Sequence, residues 1–128
     1  MLKKTDVLTA SDVLLEEADQ MLEKGDTVQA SEKYYKAAEE AVKLLAKTLK
    51  LTSVLNKAEK NGEWDLRLLH EAVNKASQVL NNPELFEYWE SAVAVLTANL
   101  SMAVLKKEAE NVRKLVKISD KVANTKMA

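Results

Sequence analysis

"EKGDTVQASEKYYKAAEEAVKLLAKTLK", Glu23 to Lys50, sets a Gly-Asp break in front of a long run of alanine, glutamate, lysine and leucine. Gly25 stands where a left-handed residue closes a helix, and Asp26 stands where a carboxylate caps the next one. Gln29, three residues on, completes a capping-box-like pair. Two helices joined by so tight a turn lie antiparallel and side by side. The second is expected to run from Thr27 to about Leu51, on the order of 37 Å. Ala30, Tyr34, Ala37, Ala38, Ala41, Leu45 and Leu49 fall on one of its faces, while Glu32 with Lys36 and Glu39 with Lys43 are spaced as i,i+4 ion pairs on another. Small side chains let a neighbouring helix come close, so this stripe reads as a central packing surface.

Helical spacing of apolar residues extends in both directions from this rod. Before it, Leu14, Ala18, Met21 and Leu22 mark a first helix that starts near Thr9 or Ser11 and ends at Lys24. After it, residues 52–63 read as a loop, with or without a helical turn of its own, and Asn61-Gly62 is its clearest break. Asp65 caps a third helix to Leu80, with Leu66, Leu69, Val73, Ala76 and Leu80 facing inward. Asn81-Asn82-Pro83 ends that helix and starts a fourth, which carries Leu85, Trp89, Ala92, Val93, Leu96, Leu100 and Ala103. A fifth, roughly Lys107 to Ala123, buries Val112, Leu115, Val116, Ser119 and Val122; Ser101 to Lys107 hold no Gly or Pro, so the sequence leaves open whether the chain bends between the fourth and fifth, and residues 124–128 are expected to fray. The predicted fold is all-α: an antiparallel up-and-down bundle of four core helices plus a fifth C-terminal helix, in a single domain over residues 1–128 with an ordered core of about 8–123.

Composition removes several functions. With 128 residues the chain is long enough for one continuous core. No cysteine means no disulfide, thiolate metal site or thiol nucleophile. His70 is the only histidine, so a zinc site or a catalytic triad would have a single imidazole to draw on. Two glycines cannot form a Gly-rich phosphate loop, and no cofactor is expected. No run approaches the ~18 apolar residues of a membrane span, and residues 1–12 lack the apolar stretch of a signal peptide. A cytoplasmic protein is therefore expected.

Few residues stand out as sites. Arg67 and His70 lie one turn apart at the margin of the third helix's apolar stripe, a pairing that suits a general base or a phosphate contact but lacks a third, orienting group. Asn99 falls on a stripe with Ala92, Leu96 and Ala103, so its amide is expected to point inward and to need a partner such as Tyr34 or Tyr35. Asn99, His70, Arg67 and Tyr34 together form a candidate interior polar site. Trp64, Phe86, Tyr88 and Trp89 have the helical spacing of core or interface residues more than of a base-stacking platform. Glu16-Glu17 and Glu39-Glu40 point to different sides of their helices and read as solvated charges.

Charge is unevenly spread although the net is only -1. Residues 1–26 hold seven acids against three lysines, and residues 106–128 hold seven bases against three acids. Arg113, Lys114, Lys117 and Lys121 share one broad helical face. That face suits a nucleic-acid phosphate backbone, or the acidic first helix, within one chain or across a dimer.

Two resemblances follow from these residues. Gly25, Ala30, Tyr34 and Ala37 have the spacing of the second helix of a tetratricopeptide repeat, but the closing proline is missing and no second copy occurs at the ~34-residue period. Over nearly the whole chain, Ala18 to Ala46, Trp64 and Phe86 to Leu100 resemble the archaeal PaREP family of small helical proteins. That family is similar to the HEPN superfamily, helical bundles that accompany minimal nucleotidyltransferases and include RNA-cleaving toxins. The resemblance implies a bundle prone to pair as a homodimer, with a nucleotidyltransferase-like protein or RNA as partner. Catalytic HEPN proteins carry an Arg and a His separated by four to six residues, whereas Arg67 and His70 have two between them and Arg113 has no His downstream. Family members often carry Leu-His-x-Asn in the fourth helix, where this chain reads Leu96-Thr97-Ala98-Asn99. The expected function is that of a non-catalytic interaction protein, with RNA or nucleotide binding through the basic last helix as the alternative and a degenerate ribonuclease as a third reading.

Overall fold

A computed structural model describes residues 8–127. Residues 1–7, which carry part of the expectation about an N-terminal leader, and Ala128, the last of the residues expected to fray, lie outside the described residues. The chain forms six helices: α1 (Ala10–Glu23), α2 (Thr27–Thr48), α3 (Thr52–Asn61), α4 (Leu66–Leu80), α5 (Glu84–Thr97) and α6 (Met102–Met127). No strand occurs among the described residues, so the all-α expectation holds.

The turn after α1 is built as its sequence requires. Gly25 has φ 80°, its N–H donates to the Leu22 carbonyl at 3.0 Å, and the Asp26 N–H donates to the Met21 carbonyl at 3.0 Å. This is the Schellman arrangement, and it needs a left-handed residue in the middle. Asp26 then caps α2 by accepting from the Gln29 N–H at 3.0 Å, and the Gln29 side chain donates back to the same carboxylate.

α2 is the spine. It touches all five other helices, and no other helix does so among the described residues. Its buried residues are Ala30, Tyr34, Ala37, Ala38, Ala41, Val42, Leu45 and Ala46, five of the eight being alanine. A rod with packed neighbours on several sides needs such small side chains, because each neighbour must come close without displacing the next. Paired residues give the directions. Thr9, which caps α1, and Asp19 of α1 bond Asp120 and Arg113 of α6, so α1 and α6 run antiparallel. Tyr34 meets Asp19 beside Arg113, and Ser119 donates to the Ala41 carbonyl at 2.9 Å, so α6 runs parallel to α2.

Three boundaries differ from the sequence reading. α2 stops at Thr48 and not near Leu51, because Leu51 N–H donates to the Ala46 carbonyl and Lys50 N–H to the Lys47 carbonyl while Lys50 sits at φ 55°. This is the Gly25 turn repeated with a lysine in the left-handed position. The stretch expected to be a loop, residues 52–63, is helix α3 over Thr52–Asn61, since Val54 and Ala58 lie one turn apart and both are buried. Gly62, at φ 74°, ends it. The expected fourth helix breaks at Ala98–Ser101: Thr97 Oγ1 returns to the Val93 carbonyl, Asn99 adopts φ 46°, and the Ser101 carbonyl accepts from the Leu105 N–H at 2.8 Å to start α6. α6 therefore begins at Met102, earlier than the expected Lys107, and remains helical through residues 124–127, which were expected to fray.

The i,i+4 pairs expected on α2 are replaced by Lys36–Glu39 at 3.5 Å and Lys43–Glu40 at 3.1 Å, three residues apart, an equally close spacing on a helix. Leu66 is exposed where it was expected inside, and Leu68 takes the buried place in the first turn of α4.

Lys50 gives a direct test of the turn that ends α2. A left-handed non-glycine residue carries a conformational cost of roughly 1–2 kcal/mol that glycine avoids. Lys50→Gly is expected to raise unfolding stability by up to about 1 kcal/mol in urea titration, part of the gain being offset by the more flexible unfolded chain. Ala41→Leu should do the opposite, with a loss of about 1–3 kcal/mol from overpacking the spine.

Candidate functional site

The most concentrated polar geometry in the bundle lies where α1, α2 and α6 meet. Both Asp19 carboxylate oxygens accept from Arg113, Oδ2 from Nη1 at 3.1 Å and Oδ1 from Nη2 at 3.0 Å. The Tyr34 hydroxyl donates to the same Oδ1 at 2.5 Å. The planar guanidinium matches the carboxylate fork, which is why an arginine suits this position better than a lysine. Glu110, one turn before Arg113, stands 3.9 Å from its Nε. The clasp closes one wall of a groove of about 510 Å³ whose other lining includes Leu22, Glu23 and Gly25 from the first turn and Met102, Lys106 and Ala109 from α6.

Its electrostatics follow from these contacts. Burial, then the hydrogen bond and negative charge of Asp19, holds the Tyr34 phenol well above its ordinary pKa. The hydrogen bond to Asp19 raises the Arg113 guanidinium in turn. Tyr35, on the other side of α2, is pushed up to about 12 by burial and by Glu39. Both oxygens of Asp19, the Tyr34 proton and both terminal nitrogens of Arg113 are thus committed to one another. No general base stands free among them. Among the described residues no group of three or more His, Asp or Glu side chains converges as a metal site requires.

The candidates from the sequence are redistributed. Tyr34, grouped with an interior site, and Arg113, grouped with a phosphate-binding face, meet through Asp19, which was not singled out. Asp19 had a signal: residues equally far from the Gly25-Asp26 turn face each other across an antiparallel pair, as Glu17 and Lys33 also do at 3.1 Å. The interior polar site does not form. Asn99, His70 and Arg67 are all exposed. Asn99 was placed on a continuous helical stripe, and the end of α5 at Thr97 removes that register; a left-handed turn residue is what an asparagine tolerates well. His70 lies against Phe86, edge to face at 4.8 Å.

Of the basic face, Arg113 turns sideways to α1, Lys114 lies 5.7 Å above the Tyr88 ring, and Lys117 and Lys121 are exposed. Among the described residues the acidic first helix is therefore met within the chain by Arg113 alone of the four. Trp89 is fully buried and Tyr35 packs against it at 5.9 Å, so it serves the core.

Two measurements follow. Asp19 and Arg113 are 38% and 30% exposed, so a double-mutant cycle with alanine at both is expected to give a coupling of about 1 kcal/mol or less. Tyr34 and Tyr35 keep in the folded state protons that the unfolded chain releases near pH ~10. Their contribution is fully present below that pH and is lost as pH rises toward and beyond 12. Tyr34→Phe and Tyr35→Phe should each flatten the alkaline limb of a stability-against-pH curve; an unchanged slope in both would contradict this assignment.

The sequence of residues 6–116 matches the model of the archaeal PaREP1/PaREP8 family. No curated protein matches the chain. The crystal structure of a structural-genomics target from Sulfolobus solfataricus is similar, with 38% identity, coverage of 91% of this chain and 98% of that one, and a TM-score of 0.86. A solution structure of the same target, the Orf c02003 protein, is 39% identical over 91% of this chain and 92% of that one, with a TM-score of 0.80. Family match and shared fold agree: this chain belongs to the archaeal PaREP1/PaREP8 family.

Proposed function

We propose that this protein is a non-catalytic helical bundle that acts through protein contacts, as a homodimer and, by its resemblance to HEPN-type bundles, as a companion of a nucleotidyltransferase-like protein. The observation that carries the reading is the elbow between α5 and α6. Leu96 and Val104 are 45% and 44% exposed there, beside exposed Ala98 and Ala103, while the alanines of α2 are sealed. Apolar side chains gathered at one elbow gain from a covering partner. The clasp supports the non-catalytic part, because its polar groups satisfy one another.

A second reading, RNA binding through α6, rests on Lys107, Lys114, Lys117 and Lys121, which are exposed and joined to no carboxylate in any ion pair among the described residues. Arg113 drops out of it. A degenerate ribonuclease using His70 has little support, as His70 and Arg67 sit on the surface without a third group to orient them.

Light scattering across tens to hundreds of micromolar tests the first reading: a concentration-dependent dimer is expected, weakened by Leu96→Lys with Val104→Lys, and a strict monomer would refute it. For the second, Lys114→Glu with Lys117→Glu should lower RNA affinity and reduce its salt dependence. No binding by the unaltered protein at low salt would remove that reading.

A further inference from the structure

Beyond the clasp α1 and α6 part, and the space between them is the groove that Asp19, Tyr34 and Arg113 close at one end. Helix lengths explain the opening. α6 begins about 16 Å before Arg113, whereas α1 ends about 6 Å past Asp19 and the chain turns away at Gly25 into α2. Nothing lies within 4 Å of where a side chain on Gly25 would begin. Leu22, Ala109 and Met102 give the groove an apolar side, and three further charged residues line it, Glu23 on α1 with Lys106 and Glu110 on α6, all exposed. Their order follows from the register. With α1 and α6 antiparallel and Asp19 level with Arg113, one turn on along α1 brings Glu23 level with Ala109 and Glu110, and Lys106 lies about one turn, roughly 6 Å, farther toward Met102.

These charges are not used up within the chain. Among the described residues Glu23 and Lys106 enter no ion pair, and Glu110 only approaches Arg113 Nε, at 3.9 Å, on a guanidinium already bonded to both oxygens of Asp19. Glu23 also stands at the unfavourable end of its helix. It is the last residue of α1, whose last turn holds no basic residue, so its carboxylate sits at the negative end of the helix dipole. Lys24, the C-cap, does not line the groove. Two carboxylates at one level, a helix C-terminus and an apolar side together suit a cation with hydrocarbon attached. We infer that the groove binds a small aliphatic ammonium compound, with its nitrogen between Glu23 and Glu110 and its methylenes along Leu22, Ala109 and Met102. Both diamines and amino carboxylates carry such a group, and Lys106 separates them. It stands where the far end of a chain of about five methylenes arrives, and there it repels a second ammonium and attracts a carboxylate. The ligand class is therefore an ω-amino carboxylate.

The groove lies within one chain, so this inference stands or falls apart from the reading of protein contacts above. Titrating the isotope-labelled full chain with ε-aminocaproate, cadaverine and caproate to about 20 mM at about 0.02 M salt, followed by amide chemical shifts, would test it. ε-Aminocaproate is expected to shift the amides of Leu22, Gly25 and Ala109 saturably, with a roughly millimolar dissociation constant, and caproate, which lacks the ammonium, to leave them in place. Glu23→Gln and Glu110→Gln change exposed side chains and should each weaken binding by about threefold to fivefold, while Glu87→Gln, at an exposed position on α5, should leave it unchanged. Lys106→Gln should weaken ε-aminocaproate and strengthen cadaverine. No saturable shift with either ammonium probe, shifts scattered over the acidic surface, or an equal loss in Glu87→Gln would overturn the site. Tighter binding of cadaverine than of ε-aminocaproate by the unaltered chain would overturn the role given to Lys106 and the carboxylate end of the ligand.

Discussion

Close approach to α2 is the constraint from which the rest of the bundle follows. A helix that meets five others cannot present large side chains on every side, because the neighbours would be held apart and voids would open between them. The five buried alanines of α2 avoid this, and Tyr34, Val42 and Leu45 fill the remaining space. Leu69 and Val73 of α4, Leu85 and Trp89 of α5 and Leu105, Val112 and Leu115 of α6 bring the large side chains to a spine that brings small ones. Around α2 the neighbouring backbones take up the space between the helices.

A few polar contacts then fix register where apolar packing is permissive. Ser119 on the Ala41 carbonyl, Asn111 on Ser91 and the Arg113–Asp19–Tyr34 clasp each join two or three helices at one height. Apolar surfaces tolerate sliding by a turn, whereas a hydrogen bond between particular atoms does not. The clasp also changes what the basic last helix can offer. Arg113 is held beside α1, and what remains outward is a lysine ridge next to the glutamates of α5.

Membership of the PaREP1/PaREP8 family and the likeness to the Sulfolobus structures fix the fold and leave activity to the residues. Among the described residues no helix is long and apolar enough to cross a membrane. The contrast between a sealed interior and an apolar elbow at α5–α6 is what directs attention to contacts between molecules.

The amino-acid sequence by itself determined what depends on neighbours along the chain. The Gly25-Asp26 turn, the Asp65 cap that accepts from the Leu68 N–H at 2.8 Å, the Asn81-Asn82-Pro83 break and the alanine face of α2 are local matters of backbone preference and spacing, and each stands as read. Only the tertiary structure decided where helices stop without a glycine or an Asn-Pro break. Lys50 and Asn99 take left-handed conformations because packing on either side of them outweighs a cost of about 1 kcal/mol that local preference would have avoided. The same breaks moved Asn99 to the surface and created α3. The clasp too was beyond local reading, since Asp19 and Arg113 lie 94 residues apart and meet only because α2 holds α1 and α6 against the same spine.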